Sequence, residues 1–151
     1  AEFLLAGASP ETIPSFATKP TGVKFLGFVD DLAAVYRQAR AVVCPIRFGG
    51  GTRVKLVEAG ALAKPIVTTT VGAEGLALVD EEHALIRDTP AAFADACIAL
   101  LRNSQLAQQL GQNARQLIEE KYNRSTIISD LAQRFTECRF ASSIPSALPN
   151  V

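Results

Sequence analysis

Three consecutive glycines at the head of a helix are the residues in this 151-residue chain best placed to do chemistry. Gly49, Gly50 and Gly51 follow an apolar run, Thr52 stands where a helix N-cap belongs, and Arg53, Lys55 and Glu58 lie along the first turns of the helix after it. Backbone amides without helical partners and the positive end of the helix dipole meet at such a point, and glycine lets the main chain come close to a phosphate. Arg53 and Lys55 add neutralising charge, so the chemistry implied is anion binding. Taken alone, Glu58 reads as an i, i+3 partner of Lys55 on a solvated helix face. Arg47 and Lys64 read as surface charges and His83 as an exposed loop residue.

The elements that must position this turn alternate. Short apolar runs at Phe3–Ala6, Val23–Leu26, Ala41–Pro45, Pro65–Thr69 and Ala84–Arg87 read as buried strands, several closed by Gly or Pro. Between them, Ser9-Pro10-Glu11 starts a short helix, Asp30 or Asp31 caps one carrying Leu32, Val35, Tyr36 and Ala39, and the helix of the glycine turn precedes Lys64-Pro65. Val71 to Gly75 makes a tight loop. Three helices then follow in succession: one opened by Thr89-Pro90, one capped by Ser104 and one capped by Ser125. This order predicts an α/β domain over residues 1–140, a Rossmann-like parallel sheet covered by helices on both faces, with a loose tail over 141–151. In such sheets ligands sit outside the carboxyl ends of the strands, where Gly27, the triple glycine and the Gly72–Gly75 loop all fall.

Composition narrows the partners. Nearly half the residues are apolar, enough for one compact core, and fifteen basic residues balance fifteen acidic ones, which argues against a nucleic-acid surface. Cys44, Cys97 and Cys138 form no CxxC pair, so core packing in a reducing, cytoplasmic setting is expected and a zinc site is not. No apolar run is long enough to span a membrane. The last helix carries Ile127, Ile128, Leu131 and Phe135, either as core or as a surface for self-association.

Two familiar phosphate loops are excluded by spacing, since there is no GxxxxGK[ST] and Gly7-Ala8-Ser9-Pro10 is not GxGxxG. A third pattern fits. The segments Phe25-Leu26-Gly27-Phe28-Val29-Asp30-Asp31-Leu32, Val43-Cys44-Pro45, Gly50-Gly51-Thr52-Arg53-Val54-Lys55-Leu56-Val57-Glu58-Ala59, Lys64-Pro65-Ile66-Val67-Thr68-Thr69 and Gly72-Ala73-Glu74-Gly75-Leu76 resemble the C-terminal half of retaining GT-B-fold glycosyltransferases of family 4, the glycosyl transferases group 1.

The resemblance implies a donor-binding half-site for a nucleotide-diphosphate sugar, used without a metal. It implies that Glu58 accepts from the ribose hydroxyls, that Gly50, Gly51 and Thr52 hold the diphosphate or donor sugar with Arg53 and Lys55 as cations, that Gly27, Phe28 and Val29 border the base, and that Glu74 lies near the donor or satisfies its own loop. Two positions depart from the pattern. The family's first glutamate, eight residues before Glu58, is here Gly50, and its helix-exit glycine is here Ala63, where a left-handed backbone costs about 1 kcal/mol, so a differently shaped helix exit is expected. Against the family, the chain lacks the opening strand and helix of this half and the N-terminal acceptor domain. It is therefore expected to be a fragment, inactive alone. A non-catalytic nucleotide- or phosphosugar-binding module is the alternative.

Overall fold

The computed structural model describes residues 1–7 and 20–141, and of residues 138–141 the backbone only. The helix expected at Ser9-Pro10-Glu11, the tail from Ser142 and the Cys138 side chain lie outside the described residues. Two compact units form, Ala1–Gln38 and Ala39–Val151.

In the first unit, β1 (Phe3–Ala6) pairs in parallel with β2 (Val23–Gly27). Gly27 ends β2 at φ 65°, a conformation glycine adopts without penalty, and its carbonyl accepts from the Gly7 amide at 2.8 Å. Helix α1 (Leu32–Gln38) follows, and of the two aspartates offered by the sequence it is Asp31 whose carboxylate accepts from the Ala34 amide at 3.0 Å.

In the second unit, β3 (Val42–Cys44), β4 (Ile66–Thr68) and β5 (Leu85–Ile86) form a parallel sheet in that order. Strand alternation sorts their side chains. Val67 and Leu85 join Ala96, Leu100, Ala107 and Leu110 in one core, beneath α4 (Pro90–Arg102) and α5 (Ser104–Lys121), with Val43 packed against it. Cys44, Ile66 and Thr68 point to the opposite face and are fully buried. Helix α2 (Val54–Ala61) packs on α5, and α6 (Arg124–Ala141) closes the described chain. The α/β architecture read from the sequence holds.

Several local expectations shift. Asn103, not Ser104, caps α5 by accepting from the Leu106 amide at 3.0 Å, and Asn123, not Ser125, caps α6 by accepting from Thr126 at 2.9 Å. Each Asn–polar pair offers two capping residues, and the earlier one reaches the orphan amides first. The loop expected at Val71–Gly75 is a short helix, α3 (Thr70–Ala73), followed by Gly75 at φ 77°. His83 is not exposed: its side chain is 13 % accessible and Nδ1 accepts from the Val79 amide at 3.2 Å. Lys64 is no plain surface charge either, since Nζ donates to the Ala39 carbonyl at 3.1 Å.

The exit of α2 keeps its left-handed shape without glycine. Ala63 sits at φ 52°, with its amide donating to the Gly60 carbonyl at 2.8 Å and the Lys64 amide to Ala59 at 2.9 Å, the paired bonds of a Schellman cap. Those two bonds hold a conformation that alanine resists. Ala63→Gly is therefore expected to stabilise the chain by about 1 kcal/mol, seen as a raised urea midpoint at unchanged slope. A lowered midpoint would show that the alanine methyl contributes packing that outweighs the strain.

Candidate functional site

The carboxyl ends of β3, β4 and β5 carry three segments laced together by side-chain hydroxyls. Thr68, fully buried, donates from Oγ1 to the Cys44 carbonyl at 3.1 Å. Thr69, next in the chain, donates from Oγ1 to the Ile46 carbonyl and accepts from the Gly72 amide at 2.9 Å, capping α3. Gly72 is needed for this close approach, because a Cβ there would lie 2.2 Å from Thr68 Oγ1 and 3.1 Å from the Cys44 carbonyl oxygen. Thr70 donates its amide and its hydroxyl to the two oxygens of Asp88, at 2.8 and 2.7 Å. Those bonds hold the Asp88 carboxyl below the ordinary value of 3.8, and Arg47 adds to the shift. Three consecutive threonines at a strand end, Thr68-Thr69-Thr70, are the sequence signal for this lacing.

The glycine turn stands between β3 and α2. Gly49 and Gly51 take φ 117° and 92°, where other residues are strained, and Gly50 does not. A Cβ at any of the three meets nothing within 4 Å, so the turn presents open backbone. Helix α2 begins at Val54 rather than directly after Thr52. Its N-cap is Arg53, which makes no side-chain capping bond, and Thr52 instead accepts from the Val54 amide through its carbonyl at 2.9 Å. Thr52 is thus part of the turn and not the cap.

Arg53 departs most from expectation. Read as a cation facing a phosphate, it is only 7 % accessible and turned into the protein. Nη1 donates to the carbonyls of Gly50 and Gly51 at 2.9 and 3.0 Å, and Nη2 to those of Gly49 and Val71 at 2.8 and 3.4 Å. The carbonyls of a tight glycine turn have few other donors, and the planar guanidinium fork can satisfy several at once. Arg53 therefore ties the turn to α3.

Lys55 is exposed and Glu58 half-buried, both on α2 within its first five residues, and Glu74 is exposed at the end of α3. Gly27, Phe28 and Val29 lie at the carboxyl end of β2 in the other unit, with Phe28 84 % accessible. The structure thus gathers Gly50, Gly51, Thr52, Arg53, Lys55, Glu58 and Glu74 about one sheet end. Among the described residues, no group of three His, Cys, Asp or Glu side chains is placed to hold a metal ion, and no helix is long and apolar enough to cross a membrane.

Known proteins resemble this chain in sequence and in fold. A phosphatidyl-myo-inositol mannosyltransferase of Mycobacterium leprae is 34 % identical over 113 residues, 72 % of this chain and 30 % of the relative. Among solved structures, sucrose-phosphate synthase of Thermosynechococcus elongatus superposes with a TM-score of 0.75 at 24 % identity, over 92 % of this chain and 39 % of that one. Anabaena HepE, solved in complex with UDP, gives 0.78 at 18 % identity over 91 % and 41 %. The chain therefore spans well under half the length of these relatives, and the structural likenesses establish the fold, that of GT-B C-terminal domains. The sequence profile of the glycosyl transferases group 1 covers residues 1–103, taking in the glycine turn, α2, the hydroxyl-laced end of β4 and α3, and this chain belongs to that family.

Proposed function

We propose that this chain is the donor-binding half of a retaining, metal-independent glycosyltransferase of family 4 that moves a sugar from a nucleotide diphosphate to an acceptor. The observation that carries the reading is the open turn of Gly50, Gly51 and Thr52 at the head of α2, with the Glu58 carboxylate farther along the same helix, in a chain of this family. Breaking the anomeric bond builds charge on the departing diphosphate. Fixed amides, the dipole of α2 and Lys55 stabilise that charge without reorganising. Glu58 accepts from the vicinal ribose hydroxyls, and Glu74 borders the donor.

The acceptor domain is supplied by the remainder of a longer polypeptide in a cytoplasmic setting, and this half alone transfers no sugar; turnover by the isolated chain would refute that. Exposed Ile128, Leu131 and Phe135 of α6 offer a surface for self-association. A non-catalytic nucleotide- or phosphosugar-binding module is the second reading, favoured by Gly50 where the family's first glutamate stands.

Calorimetric titration with UDP and GDP, on this chain and on an upstream-extended polypeptide, tests the site. UDP is tried first because HepE was solved with it. Glu58→Ala is expected to weaken binding by about 10- to 100-fold with folding intact, the loss of charge-assisted hydrogen bonds. Equal affinity in the variant would refute the ribose contact at Glu58, and silence from both polypeptides with both nucleotides would sink the sugar-nucleotide reading.

A further inference from the structure

We infer that Arg53 is a positioning residue that turns the amides of the glycine turn outward for the donor diphosphate, without touching the ligand itself. The inference rests on the donor-site reading above and assigns Arg53 a different part in it. The argument is one of peptide geometry. A trans peptide is planar, so its N–H points opposite to its C=O. The carbonyls of Gly49, Gly50 and Gly51 all point at the Arg53 guanidinium, at 2.8 to 3.0 Å. Their partner amides belong to Gly50, Gly51 and Thr52, and these must face away from Arg53, toward the outside of the turn.

Those three residues are exposed, and among the described residues none of their amides has a hydrogen-bond partner. Successive amides turned to one side form a site for anionic oxygens. The positive φ angles of Gly49 and Gly51 are what let consecutive carbonyls turn to the same side, as alternation in an extended chain would not. Arg53 thus supplies positive charge from beneath the turn while the backbone makes the contact.

A cost borne at this position supports a role beyond stability. Arg53 Nε is buried and, among the described residues, has no hydrogen-bond partner. An unsatisfied donor on a buried cation is unfavourable, and a residue selected for stability alone is better replaced by an apolar side chain. The fourth carbonyl, Val71, links the guanidinium to α3, so the turn is held against the short helix that ends at Glu74.

Three measurements test this together. In the ¹⁵N-labelled wild-type chain, extended upstream if UDP binding requires it, UDP is expected to move the amide resonances of Gly50, Gly51 and Thr52, whereas uridine leaves them in place. Arg53→Met is expected to weaken UDP about tenfold or more while uridine affinity is unchanged, a split that general loosening of the fold would not give. Arg53→Lys, which keeps the charge but not the fork, is expected to fall between them. Wild-type binding of UDP with those three amides unmoved would overturn the inference, and that reading does not depend on any variant folding. Equal UDP affinity in a folded Arg53→Met chain would overturn it too. If the wild type binds no nucleotide, the donor-site reading itself fails, and the inference fails with it.

Discussion

Gly111→Ala is expected to destabilise the chain by about 2–3 kcal/mol, the reverse of what alanine does in most helices. Gly111 lies inside α5, where a Cβ would normally raise stability by roughly 1 kcal/mol through helix propensity. Here the added atom would stand 2.2 Å from the Ala63 carbonyl oxygen, 2.9 Å from its carbon and 3.4 Å from the Pro65 nitrogen. All three are backbone atoms of the α2 exit, already held by the Schellman bonds and by Lys64, so none can rotate aside. Helix α5 must lift off α2, which disturbs the contact that supports the far end of the glycine-turn helix. Gly60→Ala provides the internal comparison. Its Cβ would meet Ile118 Cγ1 at 2.6 Å and the Ala114 carbonyl oxygen at 3.3 Å, so the severe overlap is with a side chain rather than with backbone, and a smaller loss of about 1–2 kcal/mol is expected. Urea denaturation of both variants gives the result directly. A Gly111→Ala midpoint equal to or above wild type would show that α5 does not approach the α2 exit this closely.

The second large effect is expected at Gly72, where stability and ligand affinity fall together. A Cβ at Gly72 would overlap Thr68 Oγ1 at 2.2 Å and press on the Cys44 carbonyl oxygen at 3.1 Å and Thr69 Oγ1 at 3.2 Å. Relief requires either rotation of Thr68, which leaves the buried Cys44 carbonyl without its hydroxyl donor, or displacement of α3 from its Thr69 cap. Either costs about 1–3 kcal/mol. Displacing α3 also moves the Val71 carbonyl away from Arg53 and shifts Glu74, so UDP affinity is expected to drop about tenfold in the folded Gly72→Ala chain. Coupling provides the check: with Thr68→Ala the obstructing hydroxyl is gone, and the double variant is expected to be less destabilised than the sum of the two. Strict additivity would mean that Thr68 is not what Gly72 makes room for.

The periodicity of apolar runs, the Gly and Pro punctuation and the helix caps are local properties, and they were enough to locate all five strands of the described chain within about two residues. The glycine turn at the head of α2 was legible for the same reason: three glycines, a helix start and two cations are adjacent in sequence. Which Asn or Ser caps a helix was less so, because neighbouring residues of equal capping ability compete and only the realised backbone chooses between Asn103 and Ser104.

Tertiary structure alone decided the direction of Arg53. A cation beside a phosphate-binding turn can face the ligand or the turn's own carbonyls, and the choice depends on where the carbonyls of Gly49, Gly50, Gly51 and Val71 come to lie. Val71 is remote in sequence and is brought there by the parallel pairing of β3 with β4. The same holds for Gly60 and Gly111. Each sits inside a helix where propensity alone would prefer another residue, and the reason is a neighbour from a segment remote in sequence standing within 3 Å of the missing Cβ. Sequence specifies what each segment tends to form; which atoms crowd a given position is set by how segments far apart in the chain pack, and no local pattern contains that information.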